Sequence, residues 1–196
     1  MKLILASSSP YRKRLLERLQ LPFDTIHPKV DESPLPEELP TELATRLAID
    51  KAAAIARQHP DAAIIGSDQV ACLDRELLGK PGDTETAFRQ LRSCSGRSVS
   101  FYTGLCVIAP GVEKHAVSVP FTVHFRELTD AEIRRYLELD QPLDCAGSFK
   151  CESLGISLFE KMDGEDPTAL EGLPLIALTK ILGAIGMHPL SGGRLS

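Results

Sequence analysis

The sequence predicts a mixed α/β fold in which a twisted sheet is flanked by helices. Short apolar runs that suit buried strands alternate along the chain with segments whose apolar residues recur at helical spacing. Residues 98–108 and 112–125 are predicted to form a long hairpin, which makes part of the sheet antiparallel. We expect a single domain over residues 1–190 and a disordered tail over residues 191–196.

Composition restricts the classes of function that this chain can have. Hydrophobic residues make up 43% of the sequence and charged residues 25%, as in ordinary globular proteins. The formal net charge of −5 excludes a broad basic surface for nucleic acid, so phosphate binding must come from a local cluster of cations. No apolar run reaches the roughly 18 residues of a membrane-spanning helix. We expect no signal peptide and a cytoplasmic location.

Residues 2–6 form an apolar run that predicts a buried strand, followed by a turn and a helix. Ser9 is a suitable N-cap for this helix, and Pro10 fits its first position, where the missing N–H costs nothing. The first turn then holds three cations: Arg12, Lys13 and Arg14. Because the helix dipole favours acids at this end, the cations indicate that an anion binds there.

The hydroxyl groups of Ser7 and Ser8 can contact a phosphate together with backbone N–H groups and the Arg12 side chain. An exposed basic helix face is the alternative explanation of the same residues. The turn also lacks the glycine-rich pattern of a Walker-type phosphate loop, so no standard motif decides between the two.

A proline-rich acidic loop over residues 27–36 contains a pair of carboxylates, Asp31 and Glu32. They belong to a site or are solvated loop acids. The helix predicted over residues 42–59 places Lys51 on its apolar stripe. A lysine at such a position extends to the surface along its aliphatic stem or points into a polar cleft.

Residues 62–66 suit a central strand that ends just before Asp68. Because open α/β sheets carry catalytic groups beyond the carboxyl ends of their strands, Asp68 is a candidate general base or metal ligand. A turn or N-cap role is the alternative. Lys80, which stands between a glycine and a proline, is a rigidly presented loop cation suited to phosphate contact.

The second half of the chain shows the same kinds of pattern. We predict helices over residues 84–94 and 129–139, a strand over residues 155–159, and a last helix beginning near residue 171. Alternating apolar residues of the hairpin are expected to face inward: Val117, Val119, Phe121, Val123 and Phe125.

The candidate site consists of three cations on separate elements and two acids: Arg12, Lys51, Lys80, Glu32 and Asp68. In a chain that is not basic overall, such a set of cations suits a polyphosphate. The nearby acids would repel that ligand unless a divalent metal bridges them. The combination predicts metal-dependent cleavage of a phosphoanhydride, in which a carboxylate orients water and Mg²⁺ or Mn²⁺ neutralises developing charge.

Several short segments between Leu3 and about Pro189 carry a resemblance to a known family. They are Leu3-Ile4-Leu5-Ala6-Ser7-Ser8-Ser9-Pro10-Tyr11-Arg12, Val30-Asp31-Glu32, Lys51-Ala52, Ile65-Gly66-Ser67-Asp68-Gln69-Val70, Gly79-Lys80-Pro81, Phe101-Tyr102-Thr103-Gly104, Ala146-Gly147-Ser148-Phe149 and Gly172-Leu173-Pro174. In the same order, these segments resemble the Maf family of nucleoside triphosphate pyrophosphatases. The resemblance implies a fold related to inosine triphosphate pyrophosphatases, with two lobes and a central cleft. It also implies hydrolysis of a nucleotide between its α and β phosphates, yielding the monophosphate and pyrophosphate.

The resemblance also implies a role for each matching residue. Asp68 is similar to the proton acceptor of the family, and Glu32 to a metal or catalytic carboxylate, so both are expected at the metal. The phosphate-binding set consists of Ser7, Ser8, Arg12, Lys13, Lys51 and Lys80. Lys13 stands where the family often has a second arginine, whose bidentate contact a lysine does not reproduce.

Three further residues resemble the subgroup of the family that cleaves 7-methyl-GTP: Tyr11, Gln69 and Glu152. Relatives that act on dTTP and UTP often carry Asp-Thr where this chain has Asp68-Gln69. Tyr11 can stack on the cationic base, Glu152 can accept from guanine N–H groups, and Gln69 can both donate and accept. The alternative is that all three are ordinary residues at the rim of the cleft. The protein would then be a dTTP or UTP pyrophosphatase.

Two other classes of function remain open. The family has been linked to inhibition of septum formation, so the protein is alternatively a nucleotide-sensing regulator. A module that reads methylated RNA caps is a further alternative, against which the acidic pI of about 5.6 and the absence of tryptophan argue. We expect a nucleoside triphosphate as the ligand, no nucleic-acid or membrane partner and, by the habit of the family, a homodimer.

Overall fold

The computed structural model describes residues 1–191. This part of the chain contains seven strands and six α-helices. In chain order they are β1 (Lys2–Ala6), α1 (Pro10–Glu17), β2 (Asp24–Ile26), α2 (Pro40–Ala56), β3 (Ala62–Leu73), β4 (Glu76–Leu78), α3 (Thr84–Cys94), β5 (Ser98–Ile108), β6 (His115–Phe125), α4 (Asp130–Asp140), β7 (Phe159–Asp163), α5 (Pro167–Leu170) and α6 (Leu175–Ala184). The hydrogen-bonded strand order is β2-β1-β3-β5-β6-β7, and β4 pairs with β3 outside this path. The predicted mixed α/β sheet flanked by helices is therefore confirmed.

The chain divides into two compact units. The first contains residues 1–68, 103–119 and the described residues from 166 onward, and the second contains residues 69–102 and 120–165. The single domain over residues 1–190 and the cleft between two lobes stay predictions. Most of the predicted tail, from residue 192 onward, lies outside the described residues.

In the first unit, helices cover both faces of the parallel strands. Ile64 of β3 packs with Ala48 of α2, whereas the next residue, Ile65, packs with Leu15 of α1 and with α6. This alternation follows from the two-residue period of a strand, and burial of both faces explains the continuous apolar run. Gly66 lets α2 approach closely, because a Cβ there would lie 2.7 Å from the Ala52 backbone nitrogen.

In the second unit, four aromatic rings form the centre of the packing: Phe101, Phe125, Phe149 and Phe159. Their centroids lie 4.8 to 5.7 Å apart in edge-to-face arrangements, which the ring quadrupoles favour. Two antiparallel pairs belong to this unit, β3 with β4 and β6 with β7.

The helix predictions agree with the structure to within a few residues, and the last helix begins at Leu175 rather than near residue 171. The helix predicted over residues 84–94 has those bounds as α3, and α4 begins with the predicted capping box between Thr129 and Glu132. Ser9 is the N-cap of α1, as predicted, and its hydroxyl accepts from the Arg12 backbone N–H. Within residues 1–191, no helix combines the length and the apolar character needed to cross a membrane.

Three local predictions are wrong. β3 does not end before Asp68 but continues to Leu73, because its last residues pair with β4. Residues 154–158 form a 3-10 helix, and β7 begins only at Phe159. Val117 is 39% exposed, so the buried alternation of β6 begins only at Phe121.

Candidate active site

Asp68 and Lys51 form a buried ion pair near the point where β1 ends. The pairing of β1 with β3 stops at Gly66, and Asp68 projects from the same face of β3 as that glycine. Helix α2 covers this face, and the Lys51 side chain on it is only 6% exposed. Lys51 Nζ donates to Asp68 Oδ1 at 2.5 Å. The lysine is therefore directed inward and does not extend to the surface.

Lys51 also binds the carboxylate of the acidic loop. Its Nζ lies 2.7 Å from Glu32 Oε1, in the segment between β2 and α2. The Glu32 side chain is 59% exposed, whereas the Asp68 side chain is 11% exposed. One ammonium group thus brings together a carboxylate accessible to solvent and one that is sheltered from it.

Arg12 reaches Asp68 from α1. Its Nη2 lies 3.8 Å from Asp68 Oδ1, and its side chain is 15% exposed. Its Nε donates to the Gly172 carbonyl oxygen at 2.9 Å. Burial lowers the pKa of Arg12 from its usual value, while attraction to Asp68 and Glu32 opposes the shift. Arginine stays charged in proteins, so the guanidinium is a fixed, largely buried cation.

The remaining predicted phosphate ligands of the first unit have other surroundings. Ser7 is buried, and its Oγ accepts from the Ser9 backbone N–H at 3.1 Å, which shapes the turn before α1. Ser8 is exposed at the start of this turn. Lys13 is exposed and lies 3.8 Å from Glu17, one turn further along α1. The structure therefore brings Arg12 and Lys51 together around Asp68, whereas Lys13 is directed towards Glu17.

Of the three predicted specificity residues, Tyr11 lies in the first unit. Its ring is half-buried, and the Arg14 guanidinium lies over it at 5.1 Å from the centroid.

Gln69 and Glu152 belong to the second unit, as does the predicted phosphate ligand Lys80. Gln69 follows Asp68 directly in β3 and is half-buried. Lys80 is exposed in the loop after β4. Glu152 is exposed beside Cys151, whose Sγ lies 3.6 Å from Glu152 Oε2. Membership of these three residues in the site stays a prediction.

Comparison with known proteins identifies the family. The model of the Maf-like protein family matches residues 2–185. This chain belongs to the Maf family. It is 54% identical over 187 residues to the 7-methyl-GTP pyrophosphatase of Aromatoleum aromaticum, covering 95% of this chain and 96% of that protein. It is 56% identical over 187 residues to the Xanthomonas oryzae protein of the same name, covering 95% and 98%.

A protein of that name from Bordetella pertussis is 53% identical over 191 residues, covering 97% of this Maf chain and 96% of its own length. Among solved structures, the Staphylococcus aureus Ham1 protein shows a TM-score of 0.46 at 15% identity, over 64% of this chain and 72% of that chain.

Sequence reasoning about this Maf chain missed Ser67. Its side chain is fully buried, and its Oγ lies 2.8 Å from the Gly104 carbonyl oxygen and 3.0 Å from that of Gly172. The Gly172 carbonyl oxygen thus contacts both the Ser67 hydroxyl and Arg12 Nε. Ser67 and Gly172 are 105 positions apart, and the only signal in the sequence was the position of Ser67 beside Asp68.

The carboxylates of Glu32 and Asp68 in this Maf chain fit a hard divalent cation. Within residues 1–191, no group of three or more histidine, cysteine, aspartate or glutamate side chains is placed to hold a metal. Mg²⁺ commonly uses one or two protein carboxylates and takes its other ligands from water and substrate phosphates. Glu32 and Asp68 meet that requirement, because both already converge on one cation, Lys51 Nζ.

Proposed function

We propose that this protein is a nucleoside triphosphate pyrophosphatase that hydrolyses 7-methyl-GTP between its α and β phosphates, releasing 7-methyl-GMP and pyrophosphate. The observation that carries the proposal is the ion cluster around Lys51, in which one buried ammonium binds Asp68 and Glu32 while Arg12 lies beside Asp68. The names of the relatives from Aromatoleum and Xanthomonas support the choice of substrate.

Asp68 acts as the proton acceptor. A water molecule attacks a phosphorus of the α–β anhydride, its oxygen forms the new P–O bond, and its proton passes to the Asp68 carboxylate. The anhydride bond breaks, and the bridging oxygen keeps the electron pair. Lys51 and Arg12 hold Asp68 in place through its Oδ1, at 2.5 and 3.8 Å. The carboxylate is therefore oriented before substrate arrives.

The cations stabilise the negative charge of the triphosphate. Arg12 is anchored by its Nε on Gly172, so the guanidinium does not need to reorganise when charge develops. Lys51 compensates for the two carboxylates, which would otherwise repel the phosphates. Ser8 and Lys80 are both exposed and complete the proposed phosphate-binding set with Ser7 and Lys13.

Glu32 and Asp68 would hold Mg²⁺ or Mn²⁺ in this proposal. When bound, the metal supplies positive charge that neutralises the phosphates during cleavage. The exposed position of Glu32 suits a carboxylate that must meet a metal–nucleotide complex arriving from solvent.

Tyr11, Gln69 and Glu152 are proposed to recognise the methylated base. N7-methylguanine carries a positive charge, which an aromatic ring and a carboxylate both attract. The Arg14 guanidinium covers one face of the Tyr11 ring.

The test is pyrophosphate release from 7-methyl-GTP, GTP, dTTP, UTP, CTP and ATP with Mg²⁺ or Mn²⁺, for the natural protein and the Asp68→Asn variant. We expect a preference for 7-methyl-GTP, and a loss of about 10²–10⁴-fold in kcat in the variant, the usual contribution of a general base. A preference for dTTP or UTP would overturn the base assignment and keep the phosphate chemistry. No turnover by folded protein would favour the nucleotide-sensing regulator.

A further inference from the structure

We propose that Arg46 positions the carboxylate of Glu32 by fastening the loop that carries it to α2. The inference rests on the proposed function, because it concerns the part that Glu32 plays in that chemistry. Arg46 is a positioning residue: it acts on Glu32 through the loop.

The loop in question is the segment between β2 and α2, residues 27–39, and it contains neither strand nor helix. Holding such a segment in one conformation costs backbone entropy at each residue, so it needs attachments. Contact between Glu32 and Lys51 supplies one attachment. A local turn, in which Asp31 Oδ1 accepts from the Ser33 backbone N–H at 2.9 Å, shapes the chain around Glu32. This turn does not connect the loop to the rest of the molecule.

Arg46 supplies the second attachment through a bidentate contact with Glu38. Its Nε donates to Glu38 Oε1 at 2.6 Å, and its Nη2 donates to Glu38 Oε2 at 2.8 Å. The same Nη2 also donates to the Ser33 carbonyl oxygen at 3.0 Å. Only an arginine offers this planar set of donors. One side chain therefore holds the loop both at the residue next to Glu32 and near the start of α2.

The contacts of Arg46 with Glu38 and with the Ser33 carbonyl oxygen form a clamp that is more than an ion pair at an open surface. The Glu38 side chain is 8% exposed and that of Arg46 is 26% exposed, so solvent screens the contact less than at an open surface. Glu38 Oε2 additionally accepts from the Leu35 backbone N–H at 3.0 Å, which folds the intervening chain back on itself. The hydrogen bond from Arg46 lowers the pKa of Glu38 to about 2, which agrees with a carboxylate that stays ionised.

Arg46 and Lys51 both belong to α2, and this common origin is the basis of the positioning role. Arg46 sets where the loop runs along the helix, and Lys51 sets where Asp68 and Glu32 meet. If the contact between Arg46 and Glu38 loosens, Glu32 shifts relative to Asp68, while the contacts of Asp68 with Lys51 and Arg12 stay in place. Loss of Arg46 is therefore expected to affect turnover more than nucleotide binding.

The test compares Arg46→Lys with a matched control. Arg46→Lys keeps the positive charge and removes the planar guanidinium with its two-donor contact to Glu38. The control is Arg57→Lys at the exposed C-terminal cap of α2. We expect Arg46→Lys to lower kcat by about 10- to 100-fold, the usual effect of a small misplacement of a reacting group, with KM changed less than twofold. Hydrogen exchange of the backbone amides of residues 31–38 should accelerate, and Arg57→Lys should change neither quantity. A drop in kcat with unchanged exchange would overturn the proposal.

A double-mutant cycle with Glu32→Gln separates this inference from the proposed function. If Arg46 acts through Glu32, Arg46→Lys should lower kcat little further in the Glu32→Gln background. An equal loss in both backgrounds would overturn the positioning role. Full activity of Glu32→Gln alone would instead remove Glu32 from the chemistry and contradict the proposed function.

Discussion

Two loops each carry one carboxylate predicted to belong to the site, and they are held in different ways. The loop of residues 27–39 carries Glu32 and is fastened by charged side chains, Arg46 and Lys51, both from α2. The loop of residues 141–153 carries Glu152 and lies in the second unit.

The loop of residues 141–153 is held by an aromatic ring and by hydrogen bonds from Lys150 to α4. Phe149 is 5% exposed and packs edge-to-face against three other phenylalanine rings. The Lys150 backbone N–H donates to Tyr136 Oη at 3.0 Å, and its Nζ donates to the Asp140 carbonyl oxygen at 2.8 Å. Glu152 takes no part in these contacts. Its carboxylate is thus separate from what holds the loop.

The difference indicates how each carboxylate responds to change. Glu32 is itself one of the attachments of its loop, so replacing it removes a proposed metal ligand and a structural contact together. Glu152 is exposed on a loop whose packing depends on Phe149, so its side chain can change while the backbone stays in place. This arrangement suits fixed chemistry at the first loop and adjustable base recognition at the second.

The largest expected effect separates the two carboxylates directly. Glu32→Gln should lower kcat for every nucleotide by about 10²–10⁴-fold, because an ionised carboxylate is lost from the reacting centre. Glu152→Gln should leave kcat for an unmethylated nucleotide within about threefold of the natural protein. Both are measured by pyrophosphate release under single-substrate conditions. Equal losses in the two variants would contradict the contrast between the loops.

Lys51→Met should destabilise the protein by about 3–5 kcal/mol, the usual cost of removing one partner of a buried ion pair. The Asp68 side chain is 11% exposed and would keep a charge without its ammonium partner. Urea unfolding measures the change. Lys180→Met on the exposed side of α6 is the matched control, with an expected change below about 0.5 kcal/mol. A change of similar size in the two variants would show that the Lys51 cluster does not hold the first unit together.

Glu152→Gln should reduce the preference for 7-methyl-GTP over UTP by about 10- to 100-fold in kcat/KM. Hydrogen bonds to a charged group contribute about 1.5–3 kcal/mol, which corresponds to that range. The measurement is the ratio of kcat/KM values for the two nucleotides. An unchanged ratio would remove Glu152 from base recognition.

Gly155→Ala should disturb the loop of Glu152 without touching its carboxylate. A Cβ at this position would lie 2.8 Å from the Lys150 carbonyl carbon, so the backbone must shift, at a cost of about 1–3 kcal/mol. Gly79→Ala is the control, because a Cβ there meets no atom within 4 Å. Thermal unfolding of both variants checks the prediction. An unfolding midpoint of Gly155→Ala equal to that of the natural protein would contradict it.

The smallest expected effect concerns pH. The contact with Arg46 lowers the pKa of Glu38 from 4.5 to about 2. A lowered carboxyl pKa contributes stability above the unfolded value, and this contribution disappears as pH falls towards the folded value. The difference in urea midpoint between the natural protein and Glu38→Gln should therefore be constant above about pH 5 and shrink between about pH 4.5 and 2. A difference that does not vary with pH would argue against an ionised clamp.

Patterns confined to a few neighbouring residues could be read from the sequence. The strand, turn and helix at the start of the chain, the Ser9 cap and the bounds of α3 depend on local apolar period and capping chemistry. The place of Lys51 on the apolar stripe of α2 was also readable, whereas the choice between a surface and an inward direction came from the structure. These features are local, because the residues that determine them are close together in the chain.

The sequence by itself therefore determined the fold class and identified Arg12, Lys51, Asp68 and Glu32 as charged groups in unusual positions. Only the tertiary structure decided which of them meet and what supports them. β3 passes through Asp68 because a later segment pairs with it, and Ser67 reaches Gly172 across 105 positions. The contacts of Arg46 with Glu38 and with the Ser33 carbonyl oxygen form only where the loop of Glu32 lies against α2. Such contacts depend on distant segments, whose approach no local pattern encodes.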